Sequence, residues 1–307
     1  MRDPPHPEPP DPVREPPSDR SPAVVTFARI QVRPRYCSWR VPPRAVQRLR
    51  HPLQVRRLSV LRSQRVSPHF VRITFTGDDL QGFLSASFDD HLKLMLPASP
   101  GAALVLPVAG PAGLDGSGPS LPPGAARPLM RDYTPRRFDA ATAELDIEFA
   151  LHGDGPAANW AAQASPGDTV GVGGPRGSFV VPLDYDWHLL IGDESALPAI
   201  ARRLEELPAG VQALVLLETG DVAERRALPS QAQVQLQWLL GGGATTLPQA
   251  VGALQLPAGE GYAWAAGEAS VMAVTRQVLV STHGLDKDHI RAAAYWKRGA
   301  QAHHENL

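Results

Sequence analysis

Arg131-Asp-Tyr-Thr-Pro-Arg136 gathers three kinds of contact into six residues. The Arg131 guanidinium can pair with a phosphate, the Tyr133 ring can cover a flat heterocycle, and the Thr134 hydroxyl with nearby backbone can hydrogen-bond a ring edge. A flavin nucleotide offers all three partners. Alone the hexapeptide is a weak signal, because strands are rich in Tyr and Thr for packing reasons. Two later glycine-containing loops add weight. In His152-Gly-Asp-Gly-Pro156, Gly153 and Gly155 permit a tight turn and close backbone approach, and Pro156 suits the first position of a helix. That helix would turn free N–H groups and its positive dipole end toward a phosphate, with His152 near an adenylate.

The second loop is Gly192-Asp-Glu-Ser-Ala-Leu-Pro198, which follows the apolar run Leu189-Leu-Ile. A strand that ends in glycine and feeds a helix lies where open α/β sheets bind ligands. Ser195 is read first as the cap of that helix. Trp264-Ala-Ala-Gly-Glu268 repeats the strand-to-glycine form, and two such loops on adjacent strands would make a dinucleotide crevice. Glu218 is placed to hydrogen-bond a ribose diol, as NADH would need, whereas Arg225 and Arg226 suit the 2′-phosphate of NADPH. The choice stays open at this point.

The elements that must hold these residues fall into two sets. Leu53–Leu61, Phe70–Thr76, His91–Leu96, Pro128–Tyr133, Glu144–Leu151, Thr169–Val172 and Phe179–Val181 read as strands separated by turn signals. These seven runs predict an antiparallel Greek-key barrel of around six strands, a six-stranded flavin-type barrel in outline. Residues 97–127, rich in Pro, Gly, Ala and Ser, read as a long surface insertion within a hairpin. After Pro182 the pattern changes to buried-strand runs at Trp187–Ile191, Val211–Leu217, Val234–Leu240 and Tyr262–Ala266, with helices over Ala196–Leu207 and Ser270–Thr282. Weaker helical patterns cover Val222–Arg226 and Thr246–Leu254. That alternation predicts a parallel sheet with helices on both faces. The expected divisions are a Pro/Arg-rich, weakly ordered lead at 1–51, a barrel domain at 52–183, a nucleotide-binding α/β domain at 184–302 and a tail at 303–307.

Composition narrows the chemistry. A formal charge of -1 over 307 residues carries no footprint for nucleic acid, and no apolar run reaches the roughly 20 residues that span a bilayer. A cytoplasmic monomer without membrane insertion is expected. Cys37 is the single cysteine, so the chain has no Cys-x-x-Cys pair and no four-cysteine iron–sulfur site. If the chain moves electrons it needs an organic cofactor. The ten histidines show no ligand spacing, so no protein-bound metal is expected.

Together with Phe88-Asp-Asp-His-Leu-Lys-Leu94, Asp146-Ile-Glu-Phe-Ala-Leu-His-Gly-Asp-Gly-Pro-Ala-Ala158, Gly174-Pro-Arg-Gly-Ser-Phe179 and Tyr295-Trp-Lys-Arg-Gly299, these motifs make the chain resemble the siderophore-interacting protein family. This is a family of NAD(P)H-dependent, FAD-containing ferric-siderophore reductases within the ferredoxin–NADP reductase-like superfamily. The resemblance implies a flavin-binding barrel followed by a nucleotide-binding α/β domain. It places Arg131, Asp132, Tyr133, Thr134, Asp146, Glu148, His152, Gly153, Gly155, Pro156, Ala157 and Ala158 on the FAD side. Gly192, Asp193, Glu194, Ser195, Ala196, Gly267 and Glu268 fall on the NADPH or NADH side. The chain departs from the family at Trp238-Leu-Leu-Gly-Gly-Gly243, where relatives often carry a histidine and an arginine, and this bears on nicotinamide-nucleotide affinity.

A flavin takes an electron pair from a nicotinamide and returns electrons singly, which suits a one-electron acceptor such as ferric iron. No side chain need act as a catalyst. Ferric siderophores are often anionic, so Lys93, Arg136, Lys297 and Arg298 are expected to form a basic rim for the substrate. The same scaffold also suits an NAD(P)H-dependent reductase of free flavin or other small acceptors, or a siderophore-binding protein without turnover.

Overall fold

The computed structural model describes residues 44–99, 101–108, 120–151, 155–300 and 305–306. The first 43 residues of the expected lead, His152 and Gly153, and most of the expected tail lie outside the described residues.

Order begins earlier than the sequence pattern announces. β1 (Gln47–Arg50) is exposed along its whole length and therefore carries no apolar period to read. It is held instead by backbone pairing and by Arg44, whose guanidinium binds Asp186 at 3.2 Å and Glu260 at 3.3 Å.

The barrel is built from β2 (Val55–Ser67), β3 (Phe70–Thr76), β4 (Leu92–Leu96), β5 (Leu129–Tyr133), β6 (Arg137–Asp139), β7 (Glu144–Ala150) and, after helix α1 (Pro156–Gln163), β8 (Thr169–Gly173). These strands form one antiparallel sheet in the order β5-β4-β8-β2-β3-β7-β6. β5 and β6 occupy opposite edges, yet only Thr134, Pro135 and Arg136 separate them. The Arg136 amide donates to the Asp146 carbonyl at 2.9 Å, extending the β6–β7 ladder back toward β5. Residues 129–139 thus act as one bent strand joining the two edges, and on that count six strands enclose the barrel. Leu58, Ile73, Phe75, Leu94, Ile147 and Val172 fill it.

The stem of the 97–127 insertion lies on the outside of this sheet. Arg57 donates to the Leu104 carbonyl at 3.3 Å, and Val108 bridges to Ser120. The run around Phe179 is not a barrel strand. β9 (Gly177–Val180) pairs antiparallel with β1 in a sheet of two.

The second domain comprises β10 (Trp187–Gly192), α2 (Leu197–Glu206), β11 (Gln212–Thr219), β12 (Gln233–Leu240), α3 (Leu247–Gly252), β13 (Gly261–Glu268), α4 (Ala269–Ser281), β14 (Ile290–Trp296) and the two-residue β15 (Glu305–Asn306). The sheet order is β12-β11-β10-β13-β14-β15, parallel except for β15. β10 and β13 are buried on every residue, as central parallel strands covered on both faces must be. Leu190, Val215 and Trp264 face α2, whereas Leu189, Ile191 and Leu216 face α3 and α4. Phe70 and Phe88 of the barrel domain belong to the α2-side core. The two sheets therefore share hydrophobic packing and not merely a linker.

His188 sits within β10 at 1% exposure, and its Nε2 has no hydrogen-bond partner among the described residues. Burial, with the Arg203 charge nearby, pushes its pKa down to about 3. The unfolded chain binds this proton near pH 6.5, while the folded chain refuses it until about pH 3. The contribution to stability is complete above the unfolded value and falls by up to roughly 1.4 kcal/mol per pH unit as pH drops between the two. Urea unfolding at about pH 7 and about pH 5 should show that loss in the native chain. His188→Phe should flatten it.

Candidate functional site

A cleft of about 820 Å³ runs along the junction of the barrel and the α/β sheet. β5 supplies its first wall. Arg131, Asp132, Tyr133 and Thr134 all line the cleft. The Tyr133 ring lies 4.4 Å from Phe149 at 45°, and Phe149 in turn lies 6.0 Å from Trp160 of α1. Barrel packing thereby fixes the ring, and burial raises the phenol pKa so that it stays neutral. Arg131 Nη1 donates to the Met130 carbonyl at 2.7 Å, which folds the guanidinium against its own strand.

The N-terminus of α1 forms the next part of the wall, through Gly155, Pro156, Ala157 and Ala158. Pro156 opens the helix, no side chain among the described residues caps it, and its first turn holds no acidic residue. Its free N–H groups and positive dipole end therefore face the cleft, the arrangement a phosphate group needs. The donor set fits FAD: an uncapped helix end for the pyrophosphate, a neutral aromatic face and a hydroxyl for the ring.

Glu148 closes the floor. Its side chain is fully buried, yet three arginines reach it: Arg72 at 2.6 Å, Arg226 at 2.5 Å and Arg136 at 3.5 Å. Burial alone would raise its pKa, but Arg226, Arg72 and Arg136 together hold it below the usual range. Arg136 is only 5% exposed and is further clamped by Glu205 of α2 at 2.5 Å and 2.8 Å. Its expected place on a basic rim is therefore corrected. A guanidinium taken out of water needs carboxylates, and this one ties the barrel to α2. Asp146 does not line the cleft. It accepts from Thr74 at 2.6 Å and from Arg137 at 2.9 Å within the barrel.

The sheet edge supplies the opposite wall, and here scaffold and lining separate. Glu194 and Ser195 line the cleft, whereas Gly192, Asp193, Ala196, Gly267 and Glu268 lie behind it. Asp193 is a knot. Oδ1 accepts from the Ser195 amide at 2.9 Å and hydroxyl at 2.5 Å, while Oδ2 accepts from the Glu268 amide at 3.0 Å and Trp296 Nε1 at 2.8 Å. One carboxylate thus joins the ends of β10, β13 and β14, and burial raises its pKa. Ser195 is not the cap expected from sequence. The N-cap position of α2 is Ala196, with no side-chain cap, and Ser195 is spent on Asp193. Glu268 caps α4 instead, accepting from the Ser270 and Val271 amides at 2.8 Å and 3.1 Å. Glu194 Oε1 accepts from Thr219 Oγ1 at 2.6 Å and the Gly220 amide at 2.9 Å.

The end of β14 completes the mouth with Tyr295, Trp296, Lys297 and Arg298. Trp296, Lys297 and Arg298 are exposed, and the Arg298 amide donates to Glu268 at 3.3 Å. Lys93 does not line the cleft, and its ammonium sits 2.7 Å from both Asp132 oxygens. Sequence reasoning did not assign Phe70, His91, Tyr295 or Trp296 to the site, though each lines it. His91 and the two aromatics sit inside motifs that were noticed, while Phe70 carries no signal beyond strand alternation.

An antiparallel barrel and a parallel α/β sheet sharing one cleft define the ferredoxin–NADP reductase-like class of fold. Within that class, residues 59–179 match the siderophore-interacting FAD-binding domain and residues 185–299 match the siderophore-interacting protein model. The chain belongs to the siderophore-interacting protein family. It is 40% identical to the NADPH-dependent ferric-chelate reductase of Escherichia coli (strain K12), over 83% of this chain and 97% of that one. It is 33% identical to the ferric vibriobactin reductase ViuB of Vibrio cholerae serotype O1, over 81% and 93%. The crystal structure of a siderophore utilization protein from T. fusca superposes with a TM-score of 0.75 at 36% identity, covering 84% of this chain and 98% of that one.

Gly267 tests the knot. Its φ of +155° is rarely open to side chains, and a Cβ there would lie 2.6 Å from Asp193 Oδ2. Gly267→Ala should destabilise the chain by about 1–3 kcal/mol in urea unfolding. It should impair nicotinamide-nucleotide binding more than FAD content, read by titration and by the absorbance of bound flavin.

Proposed function

We propose that this protein is an FAD-containing reductase that uses NADPH to reduce the iron of ferric siderophores, releasing it as Fe(II). The observation that carries this reading is the convergence of the uncapped α1 N-terminus, Arg131, Tyr133 and Thr134 in one cleft whose mouth bears exposed Lys297 and Arg298. Bound FAD supplies the conversion between a two-electron nicotinamide donor and a one-electron ferric acceptor. By stoichiometry one NADPH serves two ferric chelates, yielding NADP⁺, a proton and two Fe(II).

The chain's own residues bind, orient and screen. The first turn of α1 holds phosphate through backbone N–H groups, and Tyr133 offers a neutral ring face. The Asp193 knot holds the ends of β10, β13 and β14 against the nicotinamide nucleotide. For NADPH, Arg225 is the cation left exposed beyond β11, because Arg226 is spent on Glu148. Lys297 and Arg298 attract the anionic chelate without ligating its iron. Fe(II) is held more weakly than Fe(III) by hard oxygen ligands, so the chelate yields its iron after reduction. Among the described residues no helix is long and apolar enough to cross a membrane, and we place the reaction in the cytoplasm, where NADPH is supplied.

The test is an anaerobic visible spectrum. The FAD-loaded chain should bleach on addition of NADPH and recover its colour on addition of a ferric siderophore, with Fe(II) captured by a ferrous-specific chelator. Bleaching without recovery would reject the iron assignment, and no bleaching with either nucleotide would reject the enzyme. Replacing Lys297 and Arg298 together with Ala should raise KM for anionic ferric chelates about tenfold at low salt, with kcat little changed. The difference should shrink as ionic strength rises. Unaltered kinetics at low salt would remove these two residues from the substrate site.

A further inference from the structure

Cations are scarce along the C-terminal edge of the parallel sheet. From Ala227 to Thr275, a stretch that includes the loops after β12 and β13, the chain has no lysine, arginine or histidine. NADPH differs from NADH by a 2′-phosphate, a group that carries close to two negative charges. On the β11–β12 side of the edge, the α/β domain can offer it only Arg225 and Arg226, just beyond the second strand of the sheet. That is where open α/β sheets place an arginine for such a phosphate. Arg226 is committed, with its guanidinium 2.5 Å from Glu148 and over the Phe70 ring at 5.2 Å. Arg225 is exposed, and its guanidinium has no hydrogen bond or ion pair among the described residues.

The segment that carries Arg225 is held along the cleft from several points. At its start the Gly220 amide donates to Glu194 at 2.9 Å, and at its end Arg226 reaches Glu148; both carboxylates line the cleft. Between them lies Glu224, fully buried. Among the described residues both of its donors come from the barrel domain: the Ser67 hydroxyl at the end of β2 and, at 2.5 Å, the His69 amide in the turn that follows. His69 Nε2 also lies 3.1 Å from Asp221 Oδ2, whose partner oxygen Oδ1 accepts from the Ala223 amide at 2.9 Å. Arg225 is therefore flanked by two residues anchored on the barrel, while its own side chain is left for solvent or ligand. We infer that Arg225 binds the 2′-phosphate of NADPH, and that Ser67 and Glu224 are positioning residues through which the barrel sets the preference for NADPH over NADH. This rests on the proposed reductase function and names how one of its nucleotides is chosen. A segment already ordered by the barrel loses less conformational freedom when the phosphate arrives.

The experiment uses the full chain loaded with FAD and reads the concentration of NADPH or NADH that half-saturates anaerobic flavin bleaching. In the native chain the NADH value should exceed the NADPH value. Arg225→Ala should lower that ratio about tenfold, the loss of one charge-assisted phosphate contact. Ser67→Ala removes a donor from Glu224 more than one domain away from the nucleotide's sheet, and should lower the ratio about threefold, with Ser67→Thr restoring it. Thermal unfolding checks that each variant is folded. In an Arg225→Ala background, Ser67→Ala should change the ratio no further. An unchanged ratio in Arg225→Ala overturns the phosphate assignment. A Ser67→Ala effect that falls equally on both nucleotides, or that persists in the Arg225→Ala background, makes the Glu224 clamp a packing feature and overturns the positioning role. A native chain that NADPH fails to bleach is recognised before any variant is made and removes the functional reading together with this one.

Discussion

Everything about the cleft depends on one carboxylate buried at the seam. Glu148 sits on a barrel strand, but its oxygens are held by Arg72 from the same barrel, Arg136 from the bend between β5 and β6, and Arg226 from beyond β11. Removing one partner from such a buried group leaves an uncompensated charge and costs about 3–5 kcal/mol. Here the partners come from both domains, so that cost opposes any opening of the seam. Arg136 extends the clamp to Glu205 on α2, and Phe70 and Phe88 insert barrel side chains into the α/β core. The distance between the α1 N-terminus and the sheet edge is therefore set by charge pairing and packing together. A transfer between two bound nucleotides needs that distance held.

Behind the other wall the division of labour is similar. Asp193 and Glu268 have the residue types of ligand-binding groups, yet their oxygens are committed to Ser195, Trp296, Ser270 and the amides of Glu268, Val271 and Arg298. They shape the edge from behind, and Glu194 and Ser195 line the cleft in front of them. A carboxylate that receives several donors can sit near a nucleotide's phosphates without presenting free negative charge. This explains how an acidic Gly-Asp-Glu loop can serve a dinucleotide site.

The sequence was legible where a residue's chemistry and its local geometry agree. Arg131 and Tyr133 needed only strand alternation to reach one surface, and Pro156 announced the start of α1. The strands Phe70–Thr76 and Glu144–Ala150 were visible because their apolar positions alternate or run continuously. What escaped depends on partners distant in sequence. Arg136 looked like a surface cation, and only the approach of Glu148 and Glu205 makes its burial possible. Ser195 looked like a helix cap, and only Asp193 diverts it. β14 was read as a motif and not as a strand, because Ala292, Ala293 and Ala294 carry little strand propensity. Its place beside β13 comes from close packing of small side chains. β1 has no buried residue to betray it.

The distribution of unspent charge follows from these commitments. Around the cleft, Glu148 is outnumbered by arginines, Asp132 is paired with Lys93, and Glu194 is occupied by Thr219 and Gly220. The mouth, by contrast, carries Lys297 and Arg298 exposed to solvent. Under the function proposed above, a cleft whose acids are internally neutralised and whose rim is basic draws anions toward the flavin edge. Such attraction is long-ranged and tolerant of shape, and it falls with salt over a Debye length of about 8–10 Å. Under that proposed function, such a rim selects among ferric chelates more by their charge than by their outline. That suits a reductase whose acceptors share an iron centre and differ in the organic frame around it.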